Sequence, residues 1–106
     1  MTEIIHDLIY ARNYARNQGI WVVVVVPDNL LTQSLQILAA VADGDQFSGR
    51  TALVGNGGHL SLVGGSAPSF LPEGQEFEVM FLDWSCSVDN KGLETWRRRA
   101  RREIRR

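Results

Sequence analysis

Cysteine is almost absent from this 106-residue chain, Cys86 being the only one. An internal disulfide is therefore excluded, and so is any metal site built from several thiolates. Lysine is equally scarce, with Lys91 standing alone beside ten arginines. No apolar run approaches the roughly 20 residues that a membrane-spanning helix needs. The longest, Ile20 to Pro27, falls far short of that. The opening MTEIIHDLIYAR has no basic segment leading into an apolar one, so it does not read as a secretory signal. The expectation is a soluble, cytoplasmic protein with no membrane contact and no cofactor.

What the chain does have is an ordinary globular composition, 44% hydrophobic, at a length that suits one domain with one core. Its formal net charge of −1 conceals an asymmetry. Residues 97–106 hold seven arginines against one glutamate, whereas residues 1–96 hold four basic and eleven acidic side chains. An acidic body with a basic tail is the better electrostatic description.

Thr2 can cap a helix from Glu3 to about Gln18, which Gly19 would stop. Its apolar stripe is Ile4, Ile5, Leu8, Ala11 and Ala15, with Ile9 at the edge. His6, Tyr10 and Tyr14 fall on another face at intervals of four. Ile20–Val26 is β-branched without alternation, as expected of a parallel strand covered on both sides. Pro27 ends it, and Asp28 or Asn29 is placed to cap a following helix over Leu30–Ala42. That helix carries no charge and so wants cover over most of its surface; Asp43-Gly44 closes it. Thr51–Val54 and His59–Val63 flank Gly55-Asn56-Gly57-Gly58, a hairpin turn signal. Gly64–Gln75, with Pro68 and Pro72, reads as a loop. Glu76–Trp84 is a further strand, with Phe77, Val79 and Phe81 on one face and Met80 and Leu82 on the other. A connector over 85–90 leads to a final helix over 91–106. The order α-β-α-β-β-β-α predicts a small three-layer α/β sandwich of about four strands.

Asp28 follows the valine strand and Asp83 closes VMFLD. If these strands are parallel neighbours, both carboxylates emerge at the C-terminal edge, where open α/β sheets usually bind ligands. A pair there is able to hold Mg²⁺ for a nuclease or phosphatase. The plainer assignment makes Asp28 a cap and Asp83 a strand terminator, since no third acidic residue follows at close spacing. His59, beside the hairpin glycines, has the chemistry of a general base but equally suits an exposed strand position. Cys86 has no adjacent group to activate it and reads as a structural thiol. No catalytic residue and no metal ligand is assigned.

The segments from Thr2 to Ser85 resemble part of a P-loop ATPase core of the helicase or phage large-terminase kind. Thr2–Gly19 is similar to the helix after the phosphate-binding loop. Trp21–Val26 matches the strand that follows, and Pro27, Leu31 and Gln33 match its continuation. VMFLD at Val79–Asp83 looks like the hydrophobic strand that ends in a Mg²⁺-associated Asp. The departures are large. GxxxxGK[ST] is missing, so there is neither a phosphate cradle nor a phosphate-reaching lysine. Trp84 stands where the family has a catalytic Glu, and VGNGGH and LVGGS do not replace the missing loop. The resemblance implies a non-hydrolysing remnant or mimic, of phage or mobile-element origin, acting as an interaction or inhibitor module.

The tail LETWRRRARREIRR is the most specific feature. Wound as a helix, it places Arg97, Arg98, Arg99, Arg101, Arg102, Arg105 and Arg106 on one side. Leu93, Trp96, Ala100 and Ile104 form the opposite seam. Glu94 and Glu103 are spaced to pair with arginines one turn away. Seven like charges in so short a run repel one another and call for a partner. Three readings follow: nucleic-acid phosphates bound without sequence specificity, an acidic protein surface that includes another copy of the chain, or a solvated helix docked by its seam. The His6, Tyr10, Tyr14 stripe and the uncharged Leu30–Ala42 helix are candidate partner interfaces, since aromatic residues are enriched at such surfaces. The expected function is binding rather than catalysis, and the rival is a Mg²⁺-dependent phosphodiesterase using Asp28 and Asp83.

Overall fold

Valine's branched Cβ stiffens its side chain and favours a pleated backbone, and Trp21–Val26 forms β1 near the middle of the sheet. The computed structural model describes residues 3–42, 44–64, 75–82 and 91–104. Within them the chain forms α1 (Glu3–Gln18), β1, a 3₁₀ turn (Asp28–Leu30), α2 (Leu31–Val41), β2 (Gln46–Ser48), β3 (Thr51–Gly55), β4 (Gly58–Gly64), β5 (Glu78–Phe81), α3 (Lys91–Arg99) and β6 (Arg102–Glu103). The strands make one mixed sheet in the order β2-β3-β4-β1-β5-β6. β1 runs parallel to both β4 and β5, β5 is parallel to β6, and β2-β3-β4 is an antiparallel meander.

The expected α/β sandwich is present, with six strands among the described residues instead of about four. The two additions, β2 and β6, are edge strands of three and two residues. Segments that short carry too few side chains for a period-2 pattern to stand out.

Strand alternation divides the valines between two cores. Val22, Val24 and Val26 pack with Leu8, Leu38 and Leu60 on the face covered by α1 and α2. Val23 and Val25 pack with Val79, Phe77 and Trp96 on the face covered by α3. Phe77, Val79 and Phe81 lie on that second face, and Met80 and Leu82 on the first. Trp96 meets the Phe77 ring edge-to-face, with centroids 5.9 Å apart, an arrangement that suits the ring quadrupoles.

The hairpin turn has Asn56 and Gly57 both at positive φ, 54° and 78°, as the mirror-image turns that match strand twist require. Its tip closes against the end of α1, where Asn56 Nδ2 donates to the Arg16 carbonyl at 3.1 Å. Gly58 permits the approach, because a Cβ there would collide with the Ala15 carbonyl. Arg12 ties α1 to the segment after α2 with a two-pronged contact to Asp45, Nε to Oδ2 at 2.7 Å and a terminal nitrogen to Oδ1 at 3.0 Å.

Three expectations are corrected. The helix expected over 91–106 ends at Arg99, and the chain re-enters the sheet as β6. The cause lies in Arg102, Glu103 and Ile104, which alternate as strand residues do. Arg102 reaches Glu78 and Ile104 is buried with the α1 cluster, whereas Glu103 pairs with Arg97 of α3. Trp96 and Ile104, expected on one seam, therefore serve opposite faces of the sheet. Second, neither Asp28 nor Asn29 caps α2 with its side chain; the 3₁₀ turn intervenes and Leu30 holds the cap position. Third, α2 buries only Ser34 and Leu38 fully, leaving Thr32, Gln33, Gln36, Ala39 and Ala40 exposed. The cap expected at Thr2, the closing Asp43 and the thiol of Cys86 lie outside the described residues.

Candidate functional site

β1, β4 and β5 are parallel, so their first residues gather at one edge of the sheet. A cleft of about 440 Å³ opens there. Gly19, Ile20 and Trp21 line it from the α1-β1 turn, Gly57 and His59 from the hairpin, Gln75 to Glu78 from the approach to β5, and Arg101 from the approach to β6. Trp21 and His59 are cross-strand neighbours whose rings stack at 5.1 Å. Trp21 is fixed from behind, its indole Nε1 donating to Ser61 Oγ at 2.8 Å while Ser61 also meets Thr51 at 2.7 Å. A second hollow, lined by Gln75, Glu76, Arg99 and Arg101, adjoins the first through three shared residues. Together they form a trough whose first hollow holds the stacked rings and whose second holds Arg99, with Arg101 lining both.

The five described arginines of the tail have different surroundings. Arg97 Nε donates to Glu103 at 2.9 Å, and the same guanidinium lies 3.9 Å from Glu94 and 5.0 Å from the Phe81 ring centre. Arg99 lies 5.9 Å from the centre of the Phe77 ring. Arg102 Nε donates to Glu78 at 3.0 Å, and one of its terminal nitrogens donates to the Tyr14 hydroxyl at 2.7 Å. Arg98 and Arg101 are exposed and form no side-chain ion pair among the described residues. The expected single basic face is thus not formed by Arg97–Arg102. Arg97 and Arg102 are engaged by carboxylates of the described residues, because β6 replaces the last turns of the helix. Arg105 and Arg106 lie outside the described residues.

Glu78 explains where Arg102 goes. The residue is 2% exposed, and a buried charge requires partners. Tyr14 donates its hydroxyl to Glu78 Oε1 at 3.0 Å, and Arg102 completes the set from the open side. Burial, together with the hydrogen bond to Glu78, pushes the Tyr14 phenol above its ordinary range, while Arg102 opposes the shift. The hydrogen bond and charge of Glu78 hold Arg102 still more firmly protonated. The aromatic stripe on α1 is accordingly divided. His6 and Tyr10 are exposed, whereas Tyr14 stacks on Tyr10 at 6.2 Å and spends its hydroxyl inside the fold.

At the opposite edge, β1 and β5 are indeed parallel neighbours. Asp28 sits over the end of β4, where a Cβ on Gly64 would strike its carboxylate. Asp83 lies outside the described residues, and among those described no group of three or more His, Cys, Asp or Glu is arranged to hold a metal ion. No described helix is long and apolar enough to cross a membrane. Compared with known protein families, with curated proteins and with solved structures, the chain matches none.

The sequence reading missed the cleft, the Glu78–Tyr14–Arg102 set and the Arg12–Asp45 pair. Each joins residues distant in the chain, and no spacing announces them. One signal was present: Glu78 stands at an inward position of an otherwise apolar strand, and a carboxylate there demands a cation.

Proposed function

We propose that the protein binds nucleic acid without sequence readout, through the guanidinium groups at the end of α3 and the turn into β6. The observation that carries this reading is the exposure of Arg98 and Arg101 with no ion pair among the described residues, beside Arg99 at the trough. Guanidinium groups in this position attract phosphates and fix a backbone, but supply no base code. An acidic protein surface would call on the same groups. Nucleic acid is preferred because stacked rings border the same trough, and bases stack on such rings.

The test is a salt titration of binding to a fluorescent oligonucleotide. Affinity should fall with salt at a slope of about −0.7 per single-strand phosphate contact. Replacing Arg98 and Arg101 together by glutamate should remove about two contacts from that slope and weaken binding at least tenfold at low salt. Unchanged binding in the double variant, or none in the unaltered protein, would overturn the reading.

A second reading draws on α1, where Ile5, Ile9 and Tyr10 are 38%, 40% and 38% exposed beside His6. Large apolar side chains grouped on one surface suit a protein partner, a second copy of this chain among them. Sedimentation velocity over a range of concentrations tests self-association. A monomer throughout would exclude it.

A further inference from the structure

We infer that the cleft at the N-terminal edge of the sheet receives an unpaired nucleobase, so that the nucleic acid bound is single-stranded. The inference rests on the nucleic-acid reading and adds the form of the ligand and the residues that recognise it. Three observations support it.

The volume, about 440 Å³, lies within the range of small-molecule sites and is ample for one nucleotide. The cleft is bordered by the Trp21–His59 stack, which a third ring would extend. Trp21 is held by Ser61 and His59 by its place opposite Trp21 in the β1-β4 ladder, so the ring surface is preformed. A base inside a duplex has both faces covered by its neighbours and would have to leave the stack to reach these rings.

The charges are sorted along the trough. Arg101 lines both hollows and Arg99 the outer one. Glu76, exposed, lines both as well. The outer hollow holds two arginines to one glutamate and the ring-bearing cleft one arginine to two glutamates, so a phosphate is drawn to the outer hollow, with the Glu76 carboxylate beside Arg101 at the junction. The same carboxylate is an acceptor for an exocyclic amino group on a stacked base. Glu78, the other acid on the wall, is 2% exposed and already accepts from Tyr14 and Arg102 at Oε1. Cytosine has an amino group to offer Glu76, and thymine has a carbonyl in its place. Among pyrimidines the cleft therefore favours cytosine.

Fluorescence anisotropy of labelled ten-residue oligo(dC), oligo(dT) and a ten-base-pair duplex distinguishes the outcomes. Oligo(dC) should bind about tenfold or more tightly than the duplex and quench tryptophan fluorescence, as stacking on an aromatic side chain does. His59→Ala should remove most of that advantage, bringing the affinity for oligo(dC) close to that for the duplex. Glu76→Ala should bring oligo(dC) and oligo(dT) to similar affinity, a readout that persists if the His59 variant folds poorly. Equal binding of strand and duplex, with neither substitution altering the ratio, overturns this inference but leaves the arginine reading intact. Absence of binding to all three probes overturns both.

Discussion

Arg101 and Arg102 are neighbours with identical side chains, yet the fold treats them as different kinds of residue. Arg102 is built in: its guanidinium closes the hydrogen bonding of a buried carboxylate and touches a phenol on a distant helix. Arg101 turns to the cleft and has no ion pair among the described residues. The backbone causes the separation. Beyond Arg99 the chain leaves the helix, and successive side chains along an extended segment point to opposite sides. A run of arginines in a sequence therefore counts charge without saying how much is available. The available charge is what the buried carboxylates leave over.

Arg12 belongs with Arg102 as a structural cation, and its removal should have the largest effect. The pair with Asp45 is mostly buried, at 18% and 11% side-chain exposure, and joins α1 to the segment after α2. Its two charge-assisted bonds have good length. Arg12→Ala should cost about 1–3 kcal/mol, the penalty for stranding a partly buried charge. Urea denaturation followed by circular dichroism measures it. A loss below about 0.5 kcal/mol would place Arg12 with the exposed arginines instead.

Tyr14 tests the same division through pH. Its folded-state pKa is raised, first by burial and then by the hydrogen bond to Glu78. The folded protein thus keeps the phenolic proton where the unfolded chain loses it. Stability from this source is complete below pH about 10 and is lost as pH rises through the higher folded value. Denaturation midpoints of the unaltered protein should therefore fall from pH about 10 upward. In Tyr14→Phe the midpoint should be lower at neutral pH and its alkaline decline shallower. Parallel alkaline declines in the two proteins would show that the phenol is not linked to folding in this way.

The sandwich was legible because its signals are local. A run of valines, a glycine-asparagine turn and an alternating Phe77–Leu82 segment each declare their structure within a few residues. The tail misled for the same reason. Over Leu93–Arg99 the helical period holds, but Arg102-Glu103-Ile104 fits a strand as well as a helix, and β5 decides between them by offering pairing at Glu78 and Val79. The cleft was illegible altogether. Its walls come from four segments spread between Gly19 and Arg101, brought together by the parallel register of β1, β4 and β5.

The smallest expected change is also the most discriminating. Arg101→Gln removes a charge that has no ion pair among the described residues, and glutamine keeps the backbone bond from the amide to the Phe77 carbonyl. Its stability should stay within about 0.5 kcal/mol of the unaltered protein. Arg102→Gln should lower the denaturation midpoint, because Glu78 is then left with Tyr14 as its one remaining donor among those described. The loss is limited by the 60% exposure of Arg102, which lets water reach the vacated position. The two variants have the same net charge, so solubility and long-range electrostatics cancel in the comparison. Binding should show the reverse order, with Arg101→Gln weakened and Arg102→Gln nearly unaffected at temperatures where it is folded. If both variants lose stability equally, the cleft arginine is structural after all, and Arg98 and Arg99 would remain to carry the contact with phosphate.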